Sequence, residues 1–232
     1  MIEGVREGFA PAEISVRWAQ LAIGRARVER GERLRLVLEE ARAGHLALAL
    51  VDDGLPRPRE RYLWRPPLVL EARVRFSHPA GELLGTAGFG LWNNPAPLWS
   101  ACPQASPQWL WFCYASPPAA GLRAAVTGGS EPGPLAWLWP GRKGQPALEA
   151  PLAGELMAGW HDYRIAWLPH RVLCQVDGRR ALETVHSPPG PLSLVAWVGN
   201  DWMGRTAPLG HLAIERPQWL EVEYLAVATG NA

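Results

Sequence analysis

Residues Trp160–Asn200 read WHDYRIAWLPHRVLCQVDGRRALETVHSPPGPLSLVAWVGN, and this stretch decides the fold. Trp160–Leu168 is a strand, Pro169-His170 a tight turn, and Val172–Val176 a second strand closing on Asp177-Gly178, a dipeptide that favours reversal of an antiparallel ribbon. Arg180–Val185 supplies a third short strand and Leu192–Val198 a fourth. No amphipathic helical period of useful length interrupts them.

Working outward, the same rhythm fills the chain. Ile14–Ile23, Arg33–Glu39 and His45–Val51 read as a meander with turns at Gly31 and Gly44. Within it, Leu34, Leu36 and Leu38 alternate with Arg33, Arg35 and Val37, so the leucines point inward. Prolines at 56, 58, 66 and 67 exclude a helix across Leu55–Pro67. Leu68–Ser77 then places Leu68, Leu70, Ala72, Val74 and Phe76 on the core side, with Glu71, Arg73 and Arg75 opposite. Leu122–Thr127 and Leu135–Trp139 are weaker strands, 141–159 reads as loop with at most a short helix near Ala153–Ala158, and Trp219–Ala228 closes the chain. Strands recurring every 8–15 residues with turn signals between them predict an all-β, antiparallel two-sheet sandwich of jelly-roll type, formed by residues 1–232 as a single domain.

Composition narrows the function classes. The chain has 232 residues, 48% hydrophobic and 19% charged, with a formal net charge of +1. No basic run or stripe stands out, which argues against nucleic acid as a partner. No span of about 18 apolar residues occurs, so no membrane helix is expected, and the first residues lack a signal-peptide pattern. Cys102, Cys113 and Cys174 are odd in number and form no CxxC pair, as in a reduced cytoplasmic protein. The six histidines show no metal-ligand spacing, and neither GxSxG nor a phosphate-binding glycine loop is present. The sequence implies no cofactor and no metal.

Gly85–Pro118, GTAGFGLWNNPAPLWSACPQASPQWLWFCYASPP, holds the strands Gly85–Trp92 and Gln108–Ala115. On the first, Ala87, Phe89 and Leu91 share one face, and Thr86, Gly88, Gly90 and Trp92 the other. Repeated glycine on one face means that something else approaches the backbone there. The second strand is apolar on both faces and carries no carboxylate.

Trp160–Asn200 resembles a stretch of the laminarinase-like proteins of glycoside hydrolase family 16, in which a Trp/Phe-His-x-Tyr-x-Ile-x-Trp strand precedes a strand ending in Val-Asp-Gly. The resemblance implies the concanavalin A-like jelly roll, a fold shared with lectins and inactive relatives. Over residues 34–225, including LALALVDDGLPRPRERYLWRPPLVLEARVRFS and GTAGFGLWNNP, the chain is also similar to uncharacterised bacterial proteins labelled family 16 hydrolase-like, many from thermophilic Chloroflexi. Retaining glycosidases of this class carry Glu-x-Asp-x-x-Glu on one strand, with carboxyls about 5–5.5 Å apart. The matching strand here is PQWLWFCYASPP, where Gln108, Leu110, Phe112 and Cys113 occupy the region of those acids. The family's catalytic residues therefore carry over to no position, and standard double displacement lacks both nucleophile and proton donor.

Ten of the 13 tryptophans lie between Trp92 and Trp202. The family hairpin implies that Trp160 and Trp167 face inward. Trp92, Trp109, Trp111, Trp137, Trp139, Trp197 and Trp202 are either core filling or the lining of a cleft that stacks on a ligand. Tyr114 lies beside them, and Asn93 and Asn200 sit at strand ends, where an amide orients a ligand or closes a turn. Glu71, Arg73 and Arg75 form either a polar groove strip or a solvated outer face. His161 and Asp162 are neighbours on a strand and point to opposite faces, and Cys113 in apolar company reads as an inert thiol.

These residues predict a protein that binds a glycan, glycoconjugate or other small molecule in a tryptophan-lined cleft. Two alternatives stand beside it, an enzyme with a remodelled apolar pocket acting on an unusual substrate and a structural partner-binding module. An open aromatic groove without perturbed ionisable groups would favour binding, and a closed pocket with a shifted carboxylate or histidine would favour an enzyme.

Overall fold

In the computed structural model, residues 3–8, 18–55, 57–93, 108–116, 133–141, 145–202 and 210–229 are described, with residues 3–8 and Trp202 described by their backbone only. In chain order the strands begin with β1 (Glu3–Gly8), β2 (Ala19–Ile23), β3 (Arg25–Arg30), β4 (Leu34–Glu40), β5 (Leu48–Asp52) and β6 (Leu68–Phe76). Next come β7 (Thr86–Trp92), β8 (Trp109–Ala115), β9 (Gly133–Trp139), β10 (Leu148–Pro151), β11 (His161–Leu168) and β12 (Arg171–Val176). The last five are β13 (Arg179–Thr184), β14 (Ser193–Gly199), β15 (Asp201–Trp202), β16 (Gly210–His211) and β17 (Gln218–Thr229).

Two sheets face each other as a jelly-roll sandwich. Sheet A runs β13-β12-β11-β6-β17-β4-β3, with β1 paired to β17, and sheet B runs β10-β9-β8-β7-β14-β5-β2. A small ribbon, β15-β16, stands beside sheet B. Neighbouring strands are antiparallel, including β11 with β12 and β12 with β13, the arrangement that the Trp160–Asn200 reading predicts.

The alternation read from the sequence sets which side chains meet between the sheets. Leu34, Leu36 and Leu38 of β4, and Leu68, Leu70, Ala72, Val74 and Phe76 of β6, all enter the core. Ala87, Phe89 and Leu91 of β7 oppose them, joined by Leu110, Phe112 and Tyr114 of β8. At the centre, Tyr163 of sheet A meets Phe89 edge-on with ring centroids 5.1 Å apart and Phe112 at 4.9 Å. The long strand β17 changes phase within itself: its register shifts between Val222 and Tyr224, so that Leu220 and Val222 point inward before the shift, and Leu225 and Val227 after it. A bulge of one residue is what keeps both halves of a twelve-residue strand apolar toward the core.

Some elements differ from the sequence reading. β3 is an additional edge strand: in RARVER only Ala26 and Val28 reach the core, a period masked by the charges between them. Residues 148–151 pair with β9 instead of lying in a loop, and the short helix near Ala153–Ala158 is a single 3-10 turn, Gly154–Leu156. Leu122–Thr127 lies outside the described residues. Trp167 is fully buried, and its indole donates to Ser187 Oγ at 3.1 Å and the Pro188 carbonyl at 3.0 Å. Trp160 is not inward. It precedes β11 in the outward phase, and its ring lies between the guanidinium groups of Arg33 and Arg75, 5.0 and 4.7 Å from its centre.

Glu71, Arg73 and Arg75 take the outer face of sheet A, the solvated alternative. Arg73 pairs with Asp162 and Glu223 at 2.8 Å each, Arg75 with Glu221 at 2.7 Å, and Arg164 with Glu71 at 3.3 Å. Charge complementarity across adjacent strands holds this face, while the opposite face of the sandwich carries different chemistry.

Candidate functional site: a tryptophan bed on sheet B

The registers of sheet B place its outward side chains in rows across the strands. In the first row Trp139 of β9, Trp109 of β8, Trp92 of β7 and Ser193 of β14 stand side by side. The second row is Trp137, Trp111, Gly90, Val195 and Asp52. The third is Leu135, Cys113, Gly88, Trp197 and Leu50. Six tryptophans thus share one face, together with Leu48, Leu50, Cys113, Leu135 and Val195, as an apolar cluster separate from the inter-sheet core.

The indoles pack on one another. Trp109 and Trp111 stack with centroids 4.9 Å apart at 18°, Trp137 meets Trp109 edge-on at 5.2 Å, and Trp139 meets Trp109 at 5.0 Å. Trp111 and Trp197 approach to 4.8 Å across β7. That approach explains the glycines. A Cβ on Gly88 would lie 2.6 Å from the Trp197 ring, and one on Gly90, whose φ is +148°, 2.3 Å from the Leu110 carbonyl oxygen. The glycine strip is therefore approached by this chain's own indoles and backbone, a source of close contact that spacing alone does not distinguish from a ligand.

Hydrogen bonding divides five of the six rings into two groups. Trp92 donates from Nε1 to Asp52 Oδ2 at 2.6 Å, and Trp197 donates to Thr86 Oγ1 at 3.2 Å. Trp109, Trp111 and Trp137, only 7%, 6% and 4% exposed, hold buried Nε1–H groups with no acceptor. An indole N–H without a partner in an apolar environment costs on the order of 1–3 kcal/mol. The three stand in adjacent positions on β8 and β9, and Glu149 Oε1, opposite Trp137, is likewise buried with no hydrogen bond among the described residues.

Carboxylates stand around the bed and not on its central strand. Asp52, at the end of β5, is fully buried, and burial pushes its carboxyl above the usual range against the opposing pull of hydrogen bonds from Trp92, Gly54 and Ser193. Its neighbour Asp53 points to the other side, accepts from the Leu194 amide at 2.8 Å and from Trp64 Nε1 at 2.6 Å, and is pushed up to about 7, mainly by burial. Asp201 accepts from Thr86 Oγ1 at 3.0 Å and lies directly across the β15-β16 ribbon from His211. The residue is half-buried as a whole, but its carboxyl group is enclosed, and desolvation raises it. Glu149 of β10 stands opposite Trp137 on the same face.

The sequence-predicted residues separate accordingly. Trp92, Trp109, Trp111, Trp137, Trp139 and Trp197 come together. Tyr114 does not join them: on a strand its neighbours at odd spacing face the other way, so it lies in the inter-sheet core, where its hydroxyl accepts from the Gly81 amide at 2.9 Å. Asn200 is a structural staple, its Oδ1 accepting from the Ala47 amide and its Nδ2 donating to the His45 and Leu212 carbonyls. Asn93 is buried and accepts from the Gln108 amide at 2.7 Å, closing the base of the β7–β8 connection, the turn alternative. Trp202 pairs through its backbone in β15, and its side chain lies outside the described residues, as does Cys102. On β8 the bed-facing positions are Trp109, Trp111 and Cys113, whereas Leu110 and Phe112 enter the core.

Sequence reasoning set Thr86 on the Trp92 face, as the structure has it, but did not find Asp52, Asp201 or Glu149 as neighbours of the bed. Outward phase on β5 could have flagged Asp52. Glu149 fell in a segment read as loop, where no phase exists to place it. His161, instead of working with Asp162, bonds Asp177 Oδ2 through Nδ1 at 2.7 Å on the other sheet. Among the described residues no group of three or more His, Cys, Asp and Glu side chains is placed to hold a metal ion.

No family model matches the sequence, and no curated protein does. Solved structures match along nearly its whole length. An apo Crh5 transglycosylase superposes with a TM-score of 0.58 at 14% identity, over 98% of this chain and 85% of that one. Rv0315 of Mycobacterium tuberculosis, described as an immunostimulatory antigen and pseudo β-1,3-glucanase, gives 0.54 at 15%, over 98% of both chains. The carbohydrate recognition domain of Emp47p gives 0.57 at 12%, over 99% and 97%. At these identities the likeness shows the fold alone, a two-sheet β-sandwich found in a transglycosylase and in a carbohydrate recognition domain alike.

Proposed function

We propose that the protein binds a carbohydrate or glycoconjugate on the tryptophan bed of sheet B and does not carry out standard retaining glycoside hydrolysis. The observation that carries the reading is the cluster of six tryptophans gathered on the outward face of sheet B, apart from the inter-sheet core. Sugar rings match the bed: their C–H faces stack on indoles and their oxygens accept from N–H groups. The likeness to a transglycosylase and to a carbohydrate recognition domain supports the same ligand class. β8, the strand on which the family resemblance would set two acids, carries WLWFCYA and no carboxylate.

The test is a glycan array probed with the purified protein and with Trp139→Ala, which removes a half-buried ring at the margin of the bed. Binding by the parent chain and a loss of about fivefold or more in the variant are expected, since an aromatic contact of this kind contributes roughly 1 kcal/mol or more. A parent chain that binds no glycan would sink the proposal.

A second reading has its own observation. Asp201, its carboxyl enclosed and raised, lies across from His211, whose Nε2 is buried without a partner. By the criterion of a shifted group in a closed site, this pair favours an enzyme. Turnover on an ester and glycoside panel that disappears in Asp201→Asn would establish it. In the binding reading, Asp201 anchors Thr86 and through it Trp197.

A further inference from the structure

Large aliphatic side chains reach solvent at one end of the sandwich. Among the described residues, Leu63, Leu168 and Val185 are the exposed large hydrophobics, at 42%, 38% and 74%. Three separate segments bring them to the same end. Leu168 closes β11 opposite Arg171, and because Val172 pairs with Thr184, Val185 continues that row on the far side of Arg171. Ser187, just beyond Val185, ties the two segments together by donating from its hydroxyl to the Leu168 carbonyl at 2.6 Å. Leu63 arrives from the side of sheet B. Its neighbour Trp64 bridges Leu192, and a Cβ on Gly190 would lie 3.0 Å from the Trp167 ring and 3.3 Å from the Trp64 carbonyl oxygen. The residues next to Leu63 and Leu168 therefore flank one glycine. Arginine surrounds these tips. The segment Arg57–Arg65, RPRERYLWR, carries four arginines and one acid, Glu60. Arg57 donates to the Asp53 carbonyl, whereas Arg61 and Arg65 are exposed and have no side-chain partner among the described residues. Arg171, paired with Glu183, adds a guanidinium between Leu168 and Val185.

We propose that this end of the sandwich docks on an anionic lipid bilayer, with Leu63, Leu168 and Val185 entering the acyl boundary and Arg61, Arg65 and Arg171 meeting the phosphates. The inference concerns a different surface from the tryptophan bed and does not rest on glycan binding. Among the described residues no helix is long and apolar enough to cross a membrane, so the contact is made at the surface, by side chains on turns and strand ends. The chemistry favours lipid over an acidic protein. Isolated aliphatic tips on separate segments give a protein partner no continuous strip to pack against, whereas hydrocarbon accepts each of them wherever it stands. An arginine stem is apolar and its guanidinium offers paired donors to a phosphate, so the residue suits the boundary between acyl chain and headgroup. Each basic residue near an anionic leaflet adds to the attraction. Docked this way, the row of Trp139, Trp109, Trp92 and Ser193 lies nearest the bilayer of the three, because Ser193 follows Leu192, the partner of Trp64.

The experiment is co-sedimentation of the full chain with vesicles of phosphatidylcholine alone and of equimolar phosphatidylcholine and phosphatidylglycerol, at low and at high salt. Binding to the anionic vesicles about tenfold tighter or better, and weakened several-fold as salt screens the arginines, is expected. Arg61→Gln combined with Arg65→Gln should weaken it about twentyfold, at about fivefold for each charge. Val185→Ser should weaken it about fivefold or more by removing the most exposed apolar tip. Both variants change exposed positions and should keep the parent circular dichroism and thermal midpoint. Equal binding to the two kinds of vesicle, or binding to neither, overturns the proposal. Anionic vesicles that hold Val185→Ser as tightly as the parent show adsorption by charge alone and overturn the insertion of the apolar tips. Retention of the parent chain on immobilised polyglutamate without any binding to vesicles overturns it in favour of an acidic protein. The double arginine variant should bind a glycan array as the parent does, so failure of the docking proposal leaves the glycan reading standing.

Discussion

Replacing Asp53 by asparagine removes one of the contributions that make the protein's stability fall as pH rises, while those of Asp52 and Asp201 remain. Asp53 is 2% exposed and has its carboxyl pushed from 3.8 to about 7, mainly by burial, with the charge of Asp52 adding to the rise. In the unfolded chain the same carboxyl ionises near its ordinary value. Between pH ~4 and ~7 the folded state therefore holds one proton more than the unfolded state, and stability falls by about 1.4 kcal/mol per pH unit as pH rises. The contribution is whole below about pH 4 and gone above about pH 7, a difference on the order of 4 kcal/mol. Asparagine has no such proton. It does lose one acceptor, leaving either the Leu194 amide or Trp64 Nε1 facing an NH2 group, at about 1–3 kcal/mol independent of pH. The two curves should then cross: Asp53→Asn is the less stable chain at pH 4.5 and the more stable at pH 8. Urea unfolding followed by tryptophan fluorescence, repeated at half-unit intervals of pH, measures both. A constant gap between the curves would refute the reasoning and show that the two N–H donors hold Asp53 ionised throughout.

Two further outcomes follow from the packing. Gly90→Ala should destabilise the chain by roughly 3 kcal/mol or prevent folding, because its φ of +148° strains any side chain and the new Cβ would lie 2.3 Å from the Leu110 carbonyl oxygen, an atom fixed in the β7–β8 ladder; a thermal midpoint within a degree or two of the parent would contradict it. Cys174, fully enclosed in the core with its thiol pushed up to about 12, should resist an aromatic disulfide reagent at pH 8 and react once urea unfolds the protein, as followed by peptide mapping. Native labelling of that peptide would show that the sheet A edge opens far more readily than its burial implies.

Much of the architecture is legible because a strand's phase is a local property. Once Leu34, Leu36 and Leu38 are assigned to one side, Arg33 and Arg35 must take the other, and the structure follows that assignment strand by strand. The bed is legible for the same reason: Trp109 and Trp111 on one strand, Trp137 and Trp139 on the next, are each two residues apart and so share a face. Tyr114 shows how a grouping by proximity in sequence fails, since it is three residues from Trp111 and belongs to the other side. What stayed hidden depends on register and on contacts far apart in the chain. Asp52 reaches Trp92 across 40 residues and Thr86 reaches Asp201 across 115, and no local period encodes either pairing. Trp160 was misplaced because it lies just before the strand whose phase places Trp167 inward, in the outward position of that phase.

The composition of β8, WLWFCYA, leaves no carboxylate on that strand for displacement chemistry. A retaining mechanism needs two carboxyls about 5–5.5 Å apart, on a face where water and a leaving group also fit. On β8 the bed-facing positions hold two indoles in van der Waals contact with each other and a cysteine, with the neighbouring glycine positions closed by Trp197 and by backbone. A carboxylate introduced at Trp109 or Trp111 would be buried among rings, with no arginine or lysine in the three rows among the described residues, and would take up a proton before it acted as a nucleophile. Restoring the acids would therefore require rebuilding the surrounding rings as well. The carboxylates that remain lie at the margins, where Asp52 and Asp201 bind the donors that fix Trp92 and, through Thr86, Trp197. These oxygens fix the outer rings in place, a role that needs strongly accepting oxygens.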